Sequence, residues 1–232
     1  VCNPEPLADF FDIFILGEGE EVNLELMDLF NEMKKQGASR LEFLRKAAQI
    51  EGIYVPQFYN FDYKEDGTIE KMTVSENAPE KITKRIIKDF DNVFYPENFV
   101  VPFTEIVHDR VSVEVLRGCI RGCRFCQAGF IYRPFREKSP EVINEQCRRI
   151  SDATGYDEIS LCSLSSSDYS YLPELLGELL SWCTDDKINV ALPSLRVDNF
   201  PEELFEKYTL MKNVGKPLPT PDHKGRPRYR KV

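Results

Sequence analysis

Three cysteines, Cys119, Cys123 and Cys126, fall within eight positions of the stretch VLRGCIRGCRFCQAGFIYRPFR. Clustered thiolates bind soft metals, either zinc or an iron–sulfur cluster. A structural zinc ion takes four protein ligands in a tetrahedron, and such sites usually pair one CxxC with a second ligand pair. A second CxxC is missing here. The chain has two histidines: His108 is available as a fourth ligand, and His223 sits in a polar tail. The spacing CxxxCxxC instead fits three corners of a [4Fe–4S] cluster and leaves the fourth iron without a protein ligand. A vacant iron is useful where a substrate or cofactor must bind. Gly118 and Gly122 each precede a cysteine, and Arg117, Arg121 and Arg124 surround the three thiols.

The elements around this loop read as strand, loop and helix in series. VSVEVL, from 111, is a strand that runs directly into the cysteine loop. Ser139-Pro140 opens the helix PEVINEQCRRISDAT, with proline in its first turn, and Gly155 stops it. EISLCSL is a second strand, SSSDYS a polar loop and YLPELLGELLSWC a second helix. INVALPSL is a third strand, RVDN a loop and PEELFEKYTLM a third helix. Three βα units in series predict an α/β fold with a parallel sheet and right-handed crossovers. The cysteines then lie at the carboxyl edge of that sheet, where open α/β sheets and barrels place their chemistry.

Upstream, FDIFIL at 11–16 reads as a short buried strand turning at GEGE into a helix. GEGE by itself marks only a tight strand-to-helix turn. Leu24, Met27, Leu29, Phe30 and Met33 form that helix's apolar stripe. Ser39 and Glu42 fit a capping box for a second helix ending near Gly52. A strand leading into a helix at a glycine turn reads as the last βα unit of a parallel sheet. Residues 53–75 read as a hairpin around KEDG. Residues 76–110 read as a connector held down by Phe90, Phe94, Tyr95, Phe99 and Phe103, a set that suits packing better than base stacking. The expected division is therefore 1–52, 53–110, 111–211 and a loose basic tail, 212–232, with no strand pattern.

Composition bounds the rest. The chain has 232 residues, 42% hydrophobic and 30% charged, enough for one sizeable core or a domain with part of another. It contains no apolar run long enough to span a membrane, and its first residues, VCNPEPLADFFDIF, lack the basic region of a signal peptide. A soluble cytoplasmic protein with no membrane partner is the expectation. Cys2, Cys147, Cys162 and Cys183 are scattered and read as small core residues. The net charge of −9 argues against bulk nucleic-acid binding. The charge is uneven, however: residues 1–110 carry 22 acids and 12 Lys or Arg, and residues 111–232 carry 17 and 18. An anionic cofactor, a phosphate or RNA suits the basic surroundings of the cysteines; ordinary solvated arginines are the alternative.

CIRGCRFC resembles the CxxxCΦC motif of the radical S-adenosylmethionine (SAM) superfamily, in which Φ is aromatic and Phe125 fills that place. PFTEIVHDRVSVEVLRGCIRGCRFCQAGFIYRPFREKSPEVI is similar to the bacterial branch with an N-terminal cobalamin-binding-type domain, as are FDIFILGEGEE, LSSSDYS and LPSLRVD. The resemblance covers nearly all of residues 1–200. It implies a partial (βα) radical SAM barrel of about three units, preceded by the last βα unit of a Rossmann-like cobalamin-binding-type domain and a hairpin-connector. The superfamily barrel usually has six such units, so a chain cut at both ends is expected.

The resemblance also implies roles. Cys119, Cys123 and Cys126 each ligate one iron, and SAM chelates the fourth through its amino and carboxylate groups. One electron then cleaves the sulfonium and releases a 5′-deoxyadenosyl radical that abstracts hydrogen from substrate. Gly118 and Gly122 let backbone N–H groups approach the sulfurs. Phe125 packs by the adenine or shields the cluster, and the arginines offset its charge. Ser165, Ser166 and Asp168 are the groups available to the SAM amino group. Ser194 and Arg196 meet the SAM carboxylate or substrate, although Arg196 equally suits a helix-terminal ion pair, and Glu114 and Arg117 suit a pair across a strand end. Tyr132, Arg133 and Arg136 reach a substrate or form a solvated approach to the helix. The histidine-bearing cobalamin motif Asp-x-His-x-x-Gly is absent, so no cobalamin contact is expected in this chain. The implied protein is a radical SAM enzyme with a one-electron donor such as flavodoxin or ferredoxin, and RNA or a tRNA nucleoside is a candidate substrate by analogy. The alternative is a non-catalytic metal-binding module, holding structural zinc or an electron-transfer cluster.

Overall fold

The computed structural model describes residues 3–104 and 106–196, and the backbone of two short strands beyond them. The chain divides into two compact units, Val1–Phe94 and Tyr95–Val232.

In the first unit, β1 (Phe14–Ile15) leads into α1 (Gly19–Lys35), which turns into α2 (Arg40–Ala47) and then β2 (Ile53–Tyr54). Ser39 caps α2 in the predicted box: its hydroxyl accepts from Glu42 N–H, and the Glu42 carboxylate accepts from Ser39 N–H at 2.8 Å. β1 and β2 pair antiparallel, contrary to the parallel βα unit expected. Two helices separate these strands, as the sequence predicts, and each reverses the chain. The second strand therefore comes back beside the first. A single parallel bridge, Gly17 to Arg85, completes this edge.

The buried face of α1 also differs from the expected stripe. Val22 and Met33 are buried, and Leu26 and Leu29 pack on the same cluster with Leu44, Ala47 and Ile53. Leu24, Met27 and Phe30 stay exposed. The helix is apolar on more than one side, so the face presented by α2 and β2 selects which side is covered.

The hairpin forms as β3 (Tyr59–Tyr63) and β4 (Ile69–Val74), closed where Lys64 N–H donates to Thr68 O at 2.8 Å. It starts six residues later than 53, because Ile53 and Tyr54 belong to β2. In the connector, Phe90 is buried and Tyr95 packs on the second core, but Phe94, Phe99 and Phe103 are exposed. The expected aromatic clamp is thus two residues, one in each unit.

The second unit opens with β5 (Val111–Glu114) and β6 (Leu116–Arg117), followed by the cysteine loop, a short α3 (Ala128–Ile131) and β7 (Arg136–Glu137). Next come α4 (Pro140–Thr154), β8 (Glu158–Cys162), α5 (Leu172–Cys183) and β9 (Asn189–Ala191). β5, β8 and β9 form a parallel sheet in that order, as the βα rhythm predicts. α4 begins with Pro140 in its first turn and ends at Gly155 in the left-handed region, φ 69°. Val111, Val113, Ile159 and Leu161 alternate onto the helix side of the sheet against Ile143, Ile150, Leu175 and Leu179. This alternation leaves Cys162 exposed on the other face, whereas Cys147 and Cys183 are buried; the expectation of core cysteines fails at Cys162.

The tail carries a ladder that was not expected: β10 (Pro219–Pro221) pairs antiparallel with β11 (Pro227–Tyr229). Proline is tolerated in a two-stranded ladder where its missing N–H faces outward. The predicted loop at 197–199, the third helix over 201–211, His223 and Cys2 lie outside the described residues.

Candidate metal centre

The cysteine loop is a closed excursion from the sheet. β6 and β7 pair antiparallel at its base, Leu116 with Glu137 and Arg117 with Arg136. Val115 is tied on both sides: its N–H donates to Cys162 O and its carbonyl accepts from Lys138 N–H, each at 3.0 Å. Gly118 makes the turn out of β6 with φ 88°, and a Cβ there would lie 2.6 Å from Tyr132 O and 2.8 Å from Pro134 O. Only glycine fits that crossing of the two loop ends.

Within the loop all three thiols are free and half-buried. Arg121 N–H donates to Cys119 Sγ at 3.4 Å, and Cys126 N–H donates to Cys123 O at 3.1 Å. A Cβ on Gly129 would stand 2.7 Å from Arg121 O, so the glycine lets α3 rest on the loop. A Cβ on Gly122 meets nothing within 4 Å, so the protein's own atoms do not demand glycine there. Phe125 is 93% exposed.

The loops after β8 and β9 converge on the cysteine loop. Asp168 is buried and receives the Arg121 guanidinium on both oxygens, with Nε to Oδ2 at 2.9 Å; Ser165 Oγ donates to the same Oδ2 at 2.8 Å. Ser166 is buried, shares a hydrogen bond with Ser163 at 2.8 Å and donates to Pro193 O at 2.6 Å. Ser166 N–H donates to Ser194 O at 3.3 Å, and Ser194 itself holds φ 59°. A non-glycine residue there costs about 1–3 kcal/mol, a strain typical of functional loops. Arg196 N–H donates to Ser167 Oγ at 3.2 Å, and its Nη1 lies 3.9 Å from Cys123 Sγ.

The serines, Asp168, Ser194 and Arg196 named from the sequence are therefore brought together with the cysteines, but through contacts with one another. Asp168 faces Arg121, and Arg196 faces a cysteine sulfur; the helix that its alternative ion pair would close lies outside the described residues. Arg117 pairs with Glu114 in fork geometry, Nε–Oε1 3.0 Å and Nη2–Oε2 2.7 Å. Arg133 folds back onto Gly129 O at 2.8 Å and over the Phe130 ring, and Arg136 onto Pro134 O at 3.4 Å. Tyr132 is exposed.

His108 is not brought to the cysteines. Its Nδ1 lies 2.6 Å from Arg110 Nη2, and Arg110 pairs with Glu158 at 2.9 Å. Arg110 precedes β5 and Glu158 begins β8, so His108 sits at the amino edge of the sheet, opposite the cysteine loop. The His108-completed zinc site does not form in this fold.

Sequence reasoning missed Lys138. It is 1% exposed, donates to Gln146 Oε1 at 3.2 Å and lies 4.6 Å from the centre of the Tyr95 ring. Tyr95 hydrogen-bonds Ser112 O. Burial raises its phenol pKa, and the nearby Cys147, Cys162 and Glu114 add to the shift. Partial desolvation likewise raises the thiol of the otherwise exposed Cys162, with Glu114 beside it. No local signal marks Lys138, since a lysine before a helix cap is ordinarily solvated.

A parallel α/β sheet with a three-cysteine loop at its carboxyl edge, held by the next two loops, defines an α/β protein with a candidate metal-binding loop. Residues 113–224 match the family described as radical SAM superfamily, and residues 1–56 match the family of radical SAM proteins, N-terminal. The chain belongs to the radical SAM superfamily. It is also similar to an uncharacterized protein of Methanocaldococcus jannaschii, 26% identical over 200 residues, which are 86% of this chain and 36% of the relative. The chain thus spans about a third of the length of that relative.

The family implies a [4Fe–4S] cluster and SAM. Among the described residues, no group of three His, Cys, Asp or Glu side chains is arranged to hold a single metal ion. A four-iron cube holds its thiolates farther apart than one ion does, so that arrangement is not the test of a cluster. The donor set is: three half-buried thiols on one closed loop, two of them with N–H donors directed at sulfur. Such donors stabilise thiolate and cluster charge. The residues present fit the group.

Proposed function

We propose that this chain is the cluster-bearing part of a radical SAM enzyme. Cys119, Cys123 and Cys126 would hold the [4Fe–4S] cluster, and the fourth iron would bind SAM. When bound, the group supplies one-electron cleavage of SAM and a carbon radical that takes hydrogen from substrate. The observation that carries this reading is the CxxxCxxC loop at the carboxyl edge of a parallel sheet, with the loops after β8 and β9 closing on it.

The chain's own residues hold and orient. Arg121 and Arg196 direct N–H groups at the sulfurs of Cys119 and Cys123. Ser165, Ser166 and Ser194 would offer hydroxyl and carbonyl groups to the SAM head. Reduction would come from a one-electron donor such as flavodoxin or ferredoxin, in the cytoplasm. The stretch 115–136 holds five arginines and no acid, which supports an anionic substrate such as RNA or a tRNA nucleoside. No helix among the described residues is long and apolar enough to cross a membrane.

The test is anaerobic reconstitution with iron and sulfide, reduction, and EPR with and without SAM. A [4Fe–4S]⁺ signal that shifts with SAM and vanishes in Cys123→Ala is the expected result. A signal blind to SAM supports the non-catalytic electron-transfer module instead. Stoichiometric zinc with no cluster would sink the enzyme reading.

A further inference from the structure

We propose that Arg121 and Asp168 form a latch that positions the cysteine loop on the sheet edge. Arg121 is a positioning residue for the cluster, and Asp168 is its anchor, not a contact to SAM. The inference rests on the cluster reading above and goes beyond it.

Arg121 touches three elements with three parts of itself. Its backbone N–H donates to Cys119 Sγ at 3.4 Å. Its carbonyl lies where a Cβ on Gly129 would come within 2.7 Å, under α3. Its guanidinium grips Asp168, whose side chain is 1% exposed, on the loop after β8. Ser165 Oγ fixes the same carboxylate from behind at 2.8 Å. A carboxylate buried to that degree is strongly unfavourable unless paired and hydrogen-bonded. The fork geometry leaves the guanidinium little freedom. Anchoring the side chain restrains the Arg121 backbone at the sheet edge, and so helps to hold its N–H on the Cys119 sulfur. An N–H directed at a cluster sulfur stabilises the more negative, reduced state and raises the midpoint potential. A carboxylate so engaged is poorly placed to take up an incoming ammonium group.

Two measurements on the full chain test this. The first needs no cluster: alkylation of the reduced apo-protein by iodoacetamide, followed peptide by peptide. Cys119 should react about tenfold faster in Asp168→Asn and in Arg121→Gln, with Arg121→Lys between, because a charge-assisted bond holding the loop is lost. The exposed Cys162 serves as the internal reference. The double variant should be no faster than either single one, as for two partners in one contact. Wild-type rates throughout, or fully additive effects, would overturn the latch. Should Asp168→Asn not fold, Arg121→Gln and Arg121→Lys, at a partly exposed side chain, carry the comparison.

The second measurement is the EPR-monitored midpoint of the SAM-free cluster. It should move to lower potential in Asp168→Asn and Arg121→Gln alike. An Asp168→Asn protein that keeps the wild-type midpoint but loses the SAM-induced spectral shift would make Asp168 a SAM contact and overturn the proposal. If wild type takes up no cluster, the functional reading fails, and the alkylation series still decides the latch.

Discussion

At Cys123 a guanidinium stands beside sulfur, and at Cys119 a peptide N–H does. Arg196→Gln should lower the midpoint of the SAM-free cluster and leave iron content unchanged, as read by EPR titration and iron analysis. Gly118→Ala is different in kind. It forces a Cβ at φ 88° against two carbonyls and should cost about 1–3 kcal/mol, seen as a lower urea midpoint with reduced iron uptake. Burial pushes the Cys183 thiol up from 9.0 to about 12, with Asp186 adding to the shift and Arg148 opposing it. The folded state then keeps a proton that the unfolded chain releases. This stability is full below about pH 9 and is lost as pH rises toward 12. Urea midpoints taken between pH 8 and 11 should fall less steeply in Cys183→Ala than in wild type.

At the scale of elements, β8 is the hub: β5 and β9 flank it, and Ile159 and Leu161 fill the space under α4 and α5. Leu161→Ala should cost about 3 kcal/mol in urea denaturation, a cavity in a packed core. Met72→Ala, on the exposed hairpin, should change stability by no more than about 0.5 kcal/mol. The parallel βα rhythm was legible because strand alternation, Pro140 and Gly155 all act locally. The covered face of α1 was not, since Leu24, Met27 and Phe30 satisfy helical spacing as well as Val22, Leu26 and Leu29 do. Nor was the pairing of Ile53–Tyr54 with β1, because nothing local distinguishes those residues from the start of the hairpin.

For the whole molecule, the two units have separate cores, one around Val22 and Leu44 and one around Ile143 and Leu161. Cluster binding stabilises whichever unit holds it, by mass action. Hydrogen exchange should therefore slow across 118–135 and in β8 on reconstitution, and stay unchanged in α1 and α2. Iron removal by a chelator should reverse the protection. The charge asymmetry follows the same division: residues 1–94 carry 19 acids and 11 Lys or Arg, and residues 95–232 carry 20 and 19.

Sequence alone determined the candidate donor atoms: three thiols at CxxxCxxC after a strand, glycine before the first, and a serine-rich loop one βα unit later. Spacing along the chain fixes these, because neighbouring residues cannot separate. Tertiary structure decided which of those groups face one another. Arg121 is 47 residues from Asp168, and Arg196 is 73 from Cys123; both meet only because three parallel strands end at one edge. The same geometry sent His108 to the opposite edge, since it precedes β5 and the cysteines follow it.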